Sequence, residues 1–353
     1  MGETGSTLAA SDVAVRPLRV SVLDLSPVVS GSSAGDALRN TIDLARLVER
    51  LGFTRYWLAE HHNAGGLASS SPEILISLVA QATRDIRVGS GGIMLPNHSA
   101  LKVAEWFRLL HAFFPGRIDL GLGRAPGTDP RTARVLRRDA PPAADDFAPQ
   151  FDELVGYLTE DPSKGPPLGP RIRAIPLGVP SPALWILGSS DYGGAFAARH
   201  GLGFAFARHI NPVDAVGVLR AYRSTFRPSA TLKAPESILA LSVICAERED
   251  EAEELASSVD LSTTRFMRGI RDLPFPSVEE ARAYKYDDQE EVLRKLGRER
   301  HVIGGVARVR DEVMALVQAS GADEVMVMTH VHSHEARRRS YALVAEALGL
   351  MPR

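Results

Sequence analysis

The chain has one cysteine, Cys245, in 353 residues. That excludes an internal disulfide and any zinc or iron–sulfur site built from several cysteines. Cys245 lies in SILALSVICAE, which reads as a buried strand, so the thiol is expected to pack as a small hydrophobe. No apolar run approaches the roughly 18 residues a membrane helix needs. No basic stretch followed by an apolar one marks a secretory leader, and Gly2 after Met1 stands alone as a hint of lipidation. We therefore expect a cytoplasmic protein with no membrane partner and a flexible tail over residues 1–17. Charge of one sign is also lacking. There are 41 basic and 43 acidic residues, a formal charge of -2, not the basic excess of a nucleic-acid binder. There is no P-loop. GLGRAPG at 121–127 has the spacing G-x-G-x-x-x-G, and Pro126 interrupts any helix start, so it is a poor dinucleotide fingerprint.

What the chain has is alternation. Arg19 to Leu25 (RVSVLDL) reads as a strand stopped by Ser26-Pro27. Asp36 is placed to cap a helix over ALRNTIDLARLVERL, whose apolar positions recur at helical spacing until Gly52. FTRYWLAEHHN, IRVGSGGIMLP and RIDLGLGRAPG continue the strands, with PEILISLVAQAT and ALKVAEWFRLLHAFF as helices between them. A second series supplies strands LWILGSS, GFAFA, SILALSVICA and EVMVMTH, each followed or preceded by a helical stretch. Strand–helix alternation means parallel strands with helical crossovers. The total is close to eight repeats, which suits a closed (β/α)8 TIM barrel with insertions better than an open doubly wound sheet. We expect an α/β fold in a single domain over residues 18–353. Two stretches break the rhythm. One is 126–183, rich in proline and charge, with one helix in PQFDELVGYL; the other is 262–300, charged and without a strand pattern. Long connections of this kind are usually lids or binding loops.

In such a barrel the chemistry lies where strands end. Here the strand ends carry Asp24-Leu25-Ser26, Glu60-His61-His62-Asn63, Gly91-Gly92 with Asn97-His98 beyond, Gly123-Arg124, Gly188-Ser189-Ser190, Arg208-His209 and His330-Val331-His332. Of His61 and His62, alternation lets one aim at the barrel axis. It would act as a general base or hydrogen-bond partner near neutral pH, or both are structural. Gly89, Gly91 and Gly92 in one strand mark a bulge or a close approach, by a ligand's flat face or by a packed neighbour. Arg124 either forks onto a phosphate or forms a surface ion pair. Ser189 and Ser190 before a helix offer hydroxyls and free N–H groups to an anion, a weak signal alone and a stronger one beside Arg124. His330 and His332 could share a face and hold a metal, but no carboxylate cluster accompanies them.

The strings SVLDLSP, RYWLAEHHN, VGSGGIMLPNH, PGRIDLGLGRAPG, WILGSSDYGGAFAARHGLGFAFA and RSYALVAEALG together resemble the bacterial luciferase-like flavin monooxygenases. The likeness is greatest to the luciferase-family oxidoreductase group 1 and runs over about 19–350. The resemblance implies a TIM barrel with His61 as the catalytic histidine and Leu25, His62 and Asn97 near the substrate or just behind it. It implies a cis peptide at Gly91-Gly92 beneath a flavin ring. It puts Arg124, Ser189, Ser190 and Gly193 around the flavin phosphate, and makes 262–300 a mobile cover that shields the site from water. It further implies reduced FMN delivered by diffusion from a separate reductase, oxygen as co-substrate, a small hydrophobic or aromatic substrate such as a natural-product intermediate, and a homodimer through helices of the first repeats such as VAEWFRLLHAFF.

Three positions depart from the family's pattern. Tyr192-Gly193-Gly194 stands where Tyr-Ser is frequent, Gly203 where proline is, and Gly123 where luciferase proper has cysteine. The alternatives are an F420-dependent oxidoreductase, a barrel metallohydrolase using His61, His330 and His332, and a non-catalytic flavin-binding protein.

Overall fold

The computed structural model describes residues 18–137, 147–160 and 172–353. The expected tail over 1–17 and parts of the 126–183 insertion fall outside these. Along the chain the elements are β1 (Arg19–Asp24), α1 (Ala34–Arg50), β2 (Arg55–Leu58), α2 (Pro72–Ala82), β3 (Arg87–Met94), α3 (Ala100–Phe113), β4 (Ile118–Gly123), α4 (Pro130–Arg137) and α5 (Phe147–Thr159). They continue with β5 (Ala183–Gly188), α6 (Asp191–His200), β6 (Gly203–Ala207), α7 (Ala215–Thr225), β7 (Ser237–Ala246) and α8 (Glu249–Met267). The last are α9 (Val278–Ala283), α10 (Asp288–Arg298), β8 (His301–Gly305), α11 (Val306–Ser320), β9 (Glu324–Met328) and α12 (His334–Ala347). Among the described residues no helix is long and apolar enough to cross a membrane.

Strands β1 to β7 and β9 form a closed ring of parallel pairs: β6 pairs with β7, and β9 bridges β7 and β1. This is the expected eight-stranded α/β TIM barrel. β8 was not expected. It lies alongside the outer half of β7, with Ser242 to Ala246 opposite His301 to Gly305. The 262–300 stretch is also more regular than expected, because α8 runs on to Met267 and α9 and α10 follow. Helix α1 begins earlier than expected too. Ser33 is its N-cap, and Asp36, three residues on, completes a capping box through the Ser33 backbone N–H.

Alternation decides what each strand residue does. Outward-facing Val22, Tyr56, Leu58, Ile118, Leu120 and Leu122 join the layer under the helices, with Leu44, Val48, Val79 and Phe107 from the helices themselves. Each such side chain fully buried contributes about 1.5–3 kcal/mol. Inward-facing Leu23, Trp57, Trp185, Ala205, Ala240, Met326 and Met328 form a separate apolar plug inside the ring. Trp57 and Trp185 meet edge to face at 5.6 Å. Beneath them the barrel floor is ionic. Arg55 bonds Glu324 through Nε (2.7 Å) and Nη2 (2.9 Å) and Asp119 through Nη1 (2.9 Å). These buried side chains fill the floor, and the interior opens where the strands end.

Candidate active site

Above the plug a cavity of about 750 Å³ opens at the C-terminal ends of the strands. Leu23, Leu25, Trp57, Met326 and Met328 give it an apolar base. Part of its roof is the end of α8 and the segment after it, where Phe266, Leu273 and Phe275 line the space. Backbone hydrogen bonds tie this segment to the loops after β1 and β2. The Phe275 N–H donates to Val28 O and Ser30 N–H to Phe275 O, both at 2.8 Å, and Gly65 N–H donates to Arg271 O at 3.0 Å.

The histidine side of the cavity is built on a buried carboxylate. β2 ends at Leu58, and the chain turns so that Glu60 is fully buried behind the site. Glu60 Oε1 lies 2.8 Å from His62 Nε2 and 2.9 Å from His98 Nε2, and accepts from Asn97 Nδ2 at 3.2 Å. Its other oxygen accepts from the Met94 N–H at 2.8 Å. Burial alone would raise the Glu60 carboxyl, but the hydrogen bonds from His98, His62 and Met94 overcome it and hold the group below the usual range. Gly127 passes so close over Glu60 O that a Cβ would stand 2.7 Å from it, and its φ of +65° also demands glycine. His61 is fixed differently. Its backbone N–H donates to Ser69 O at 2.9 Å. Its Nδ1 is buried without a partner among the described residues. Burial pushes the imidazole down to about 4, so it is neutral at pH 7.

One wall of the cavity is β3. The peptide between Gly91 and Gly92 is cis, as the resemblance implied. Pairing with β4 slips by one residue between Ser90 and Ile93, which is a bulge. A Cβ on Gly91 would stand 2.6 Å from Leu23 Cδ1 and 3.0 Å from Trp57 Cβ, so the wall here is bare backbone by necessity.

The rim beside this wall carries the cation. Arg124 leaves β4 exposed, with no acidic partner among the described residues. Its guanidinium lies 3.9 Å over the Tyr192 ring, at the first turn of α6. Ser189, Ser190, Tyr192 and Gly193 line the cavity with it. Ser190 is the N-cap of α6 and its side chain makes no capping bond, so among the described residues its hydroxyl remains available to an anion, while the Tyr192 N–H donates to Asp191 Oδ1 at 2.8 Å.

Leu25, His61, His62, Gly91, Arg124, Ser189, Ser190 and Gly193 therefore share one cavity. Two site expectations do not. Asn97 is buried behind the wall, bound to Glu60 and to Pro126 O (2.9 Å), and Gly92 packs against Gly121. Asp24, at a strand end, faces outward. Arg337 Nη2 donates to it at 2.6 Å and Thr41 at 2.8 Å, and against the cost of burial Arg337, the Tyr56 hydroxyl and the Ser26 N–H bring it down to about 2.

The metal alternative loses one of its three ligands, His332, while His61 and His330 line the cavity. His332 Nε2 bonds Ser30 O at 2.9 Å and His334 Nε2 bonds Asp43 at 2.8 Å, away from the cavity. Among the described residues no group of His, Cys, Asp and Glu side chains could hold a metal ion. Sequence reasoning missed the Glu60 hub, the Tyr192 ring under Arg124, and His301, which lines the cavity from the unexpected β8. An Arg two strand ends away from a buried His gave no hint that Tyr192 would serve as a platform.

Closed barrels of this kind are enzymes that work where their strands end. The family model for luciferase-like monooxygenase matches residues 18–324, and the chain belongs to that family. The protein YceB of Bacillus subtilis is 41% identical over 330 residues, covering 93% of this chain and 99% of that one. A luciferase-like monooxygenase of Escherichia coli K12 is 39% identical over 333 residues, covering 94% and 97%. The solved structure of apo-MsnO8 superposes with a TM-score of 0.87 at 38% identity, over 95% of this chain and 100% of that one. Distant barrels share the fold alone. One is the oxygenating constituent of 3,6-diketocamphane monooxygenase, solved with FMN at 16% identity, and another an F420-dependent secondary alcohol dehydrogenase, at 13%. The chain is a monooxygenase of the luciferase-like family.

Proposed function

We propose that this monooxygenase uses reduced FMN, supplied by diffusion from a separate reductase, and O2 to oxygenate a small hydrophobic or aromatic molecule. The observation that carries the reading is Arg124, without an acidic partner among the described residues, stacked at 3.9 Å on Tyr192 beside the Ser190 hydroxyl, which makes no capping bond at the start of α6. An anionic tail fits there, and an apolar cavity walled by the Gly91 backbone suits a planar ring attached to it. Bound reduced flavin would supply the electrons and activate oxygen. The protein's own part is different. Arg124, Ser189 and Ser190 hold the phosphate. The Gly91 wall and the Trp57 side set the ring's plane. The stitched roof excludes water, and neutral His61 accepts or donates one hydrogen bond at the reacting oxygen.

The test is a fluorescence titration with FMN, riboflavin and F420. FMN should bind roughly 10- to 100-fold more tightly than riboflavin, the size of a charged hydrogen-bonded contact. Arg124→Ala should raise the FMN Kd by that same factor and leave riboflavin unchanged. Equal binding of FMN and riboflavin, or tighter binding of F420, refutes the reading.

The same proposal includes a homodimer. On adjacent α2 and α3, Ile74, Leu78, Leu109 and Phe113 are 58%, 52%, 48% and 75% exposed, while Val103, Phe107 and Leu110 turn into the core. A patch of large apolar residues on neighbouring helices is a surface that association covers. Light scattering should give a dimer mass for the native chain and a monomer mass for L109E/F113E; an unchanged mass places the interface elsewhere.

A further inference from the structure

The cavity has a polar region that the proposed oxygenation leaves unused. His209 follows β6, His301 opens β8 and His330 follows β9, and all three line the cavity. His301 Nδ1 lies 2.7 Å from Ser242 Oγ, whose residue is 1% exposed. His209 Nδ1 lies 3.5 Å from Ala240 O. His330 Nε2 is buried and has no partner among the described residues. The Nε2 atoms of His209 and His301 also lack a protein partner among them. Unpaired ring nitrogens on a cavity lining, His330 Nε2 fully buried among them, leave hydrogen-bonding capacity that a ligand would use.

The ring tautomers say what kind of ligand. A carbonyl oxygen accepts only, so His209 Nδ1 carries the proton and its Nε2 is a bare acceptor. A serine hydroxyl donates or accepts by rotating, so Ser242 lets His301 present Nε2–H as a donor. Burial pushes His209 and His301 down to about 4 and His330 to about 3, which keeps the wall uncharged at neutral pH. An acceptor beside a donor on a neutral wall matches a group that both donates and accepts through one oxygen. An ether cannot donate, and a carboxylate offers acceptors only.

We propose that His209 and His301, the latter set by Ser242, recognise a hydroxyl group, alcoholic or phenolic, on an otherwise apolar substrate, with His330 facing the same oxygen or its bound water. The proposal rests on reading this cavity as the substrate chamber. Arg300, also on the cavity lining, is the rival feature, since it would favour an acid instead.

Calorimetric titration of the full chain with 2-naphthol, 2-methoxynaphthalene and 2-naphthoate, with and without FMN, separates these. Naphthol should bind at least about tenfold more tightly than its methyl ether, because a site built for a hydroxyl leaves polar groups unpaired against an analogue lacking it. His209→Phe and His301→Phe should each bring that ratio below about twofold, and S242A should lower it partway, with the FMN Kd unchanged. His209→Gln, which keeps an acceptor, should retain most of the preference. Equal binding of naphthol and ether by the native chain, tighter binding of naphthoate, or no binding of any of the three overturns the proposal without reference to any variant. A preference that survives in both phenylalanine variants does so too. If the naphthol preference holds while FMN fails to bind, the flavin reading falls and this one stands. If FMN binds through Arg124 while naphthol and ether bind alike, this one alone falls.

Discussion

Replacing His61 with alanine should lower the rate of substrate oxygenation by about 10²- to 10⁴-fold, the range of a positioned acid–base group. FMN affinity should move by less than about threefold, since Arg124 and the serines grip the far end of the cofactor. The expectation rests on His61 facing the cavity as a neutral ring with a buried, unpaired Nδ1, on a backbone pinned to Ser69. H61Q keeps a hydrogen-bonding group and should recover part of the rate. A rate within about fivefold of native in H61A would remove His61 from the chemistry. The pH profile gives a second reading. Burial holds His61 at about 4, so the neutral form works and the rate should fall only as pH descends through about 4. A limb centred near 6.5, the ordinary histidine value, would contradict a buried ring. Stability follows its own course. His61, His209, His301 and His330 all have folded values lowered by burial, to about 4, 4, 4 and 3. The unfolded chain therefore takes up protons first. The stability these rings preserve is complete above about 6.5 and is lost as pH falls toward 4. Rates at low pH should accordingly be read in short jumps from neutral solution.

The barrel was legible because its signals are local. Apolar spacing in 37–51, the Pro72 helix start and the Pro115-Gly116 stop each act within one element. What escaped depends on contacts across the chain. HVIGG, five residues with two glycines after the charged KLGRER, becomes strand β8 because the outer half of β7 offers it an edge. Glu60 looks like one more polar residue at a strand end. Its role comes from His98 and Met94, 38 and 34 positions away. Asn97 looked like a site residue by its place after β3, but its amide is taken by Glu60 and Pro126. Strand-end polarity marked the right rim of the barrel. It could not say which of those groups turn inward, because Asp24 and His332 are drawn outward by Arg337 and Ser30.

Arg55→Met should destabilise the fold by about 3–5 kcal/mol, the cost of leaving buried charge without its partner. Arg55 is 3% exposed, and Glu324 and Asp119 are fully buried. Its three bonds to them are reinforced by Ser21 Oγ on Glu324 (2.5 Å), by Trp57 Nε1 on Asp119 (3.0 Å) and by Arg87 on Asp119. Removing the guanidinium leaves two buried carboxylates, with only the half-exposed Arg87 on Asp119 and Arg19 on Glu324 (3.5 Å) to offset them. The guanidinium also lies 4.8 Å over the Trp185 ring, so the plug above loses a supporting surface. Burial works against the Asp119 charge, but Arg55 and Arg87 more than compensate and hold its carboxyl below the usual range. The stability that depends on this group is therefore present above about 3.9 and lost in acid, and Arg55→Met should flatten that acid limb. Adding Glu324→Gln and Asp119→Asn should restore most of the loss, because the cost lies in the unpaired charges and not in the missing bond. Urea unfolding of the single and triple variants measures both effects. A single variant within about 1 kcal/mol of native would mean that water reaches the floor and screens the carboxylates. Such a floor could not also be the closed end that confines a ligand to the strand-end mouth, so this one measurement tests the barrel's polarity along with its stability.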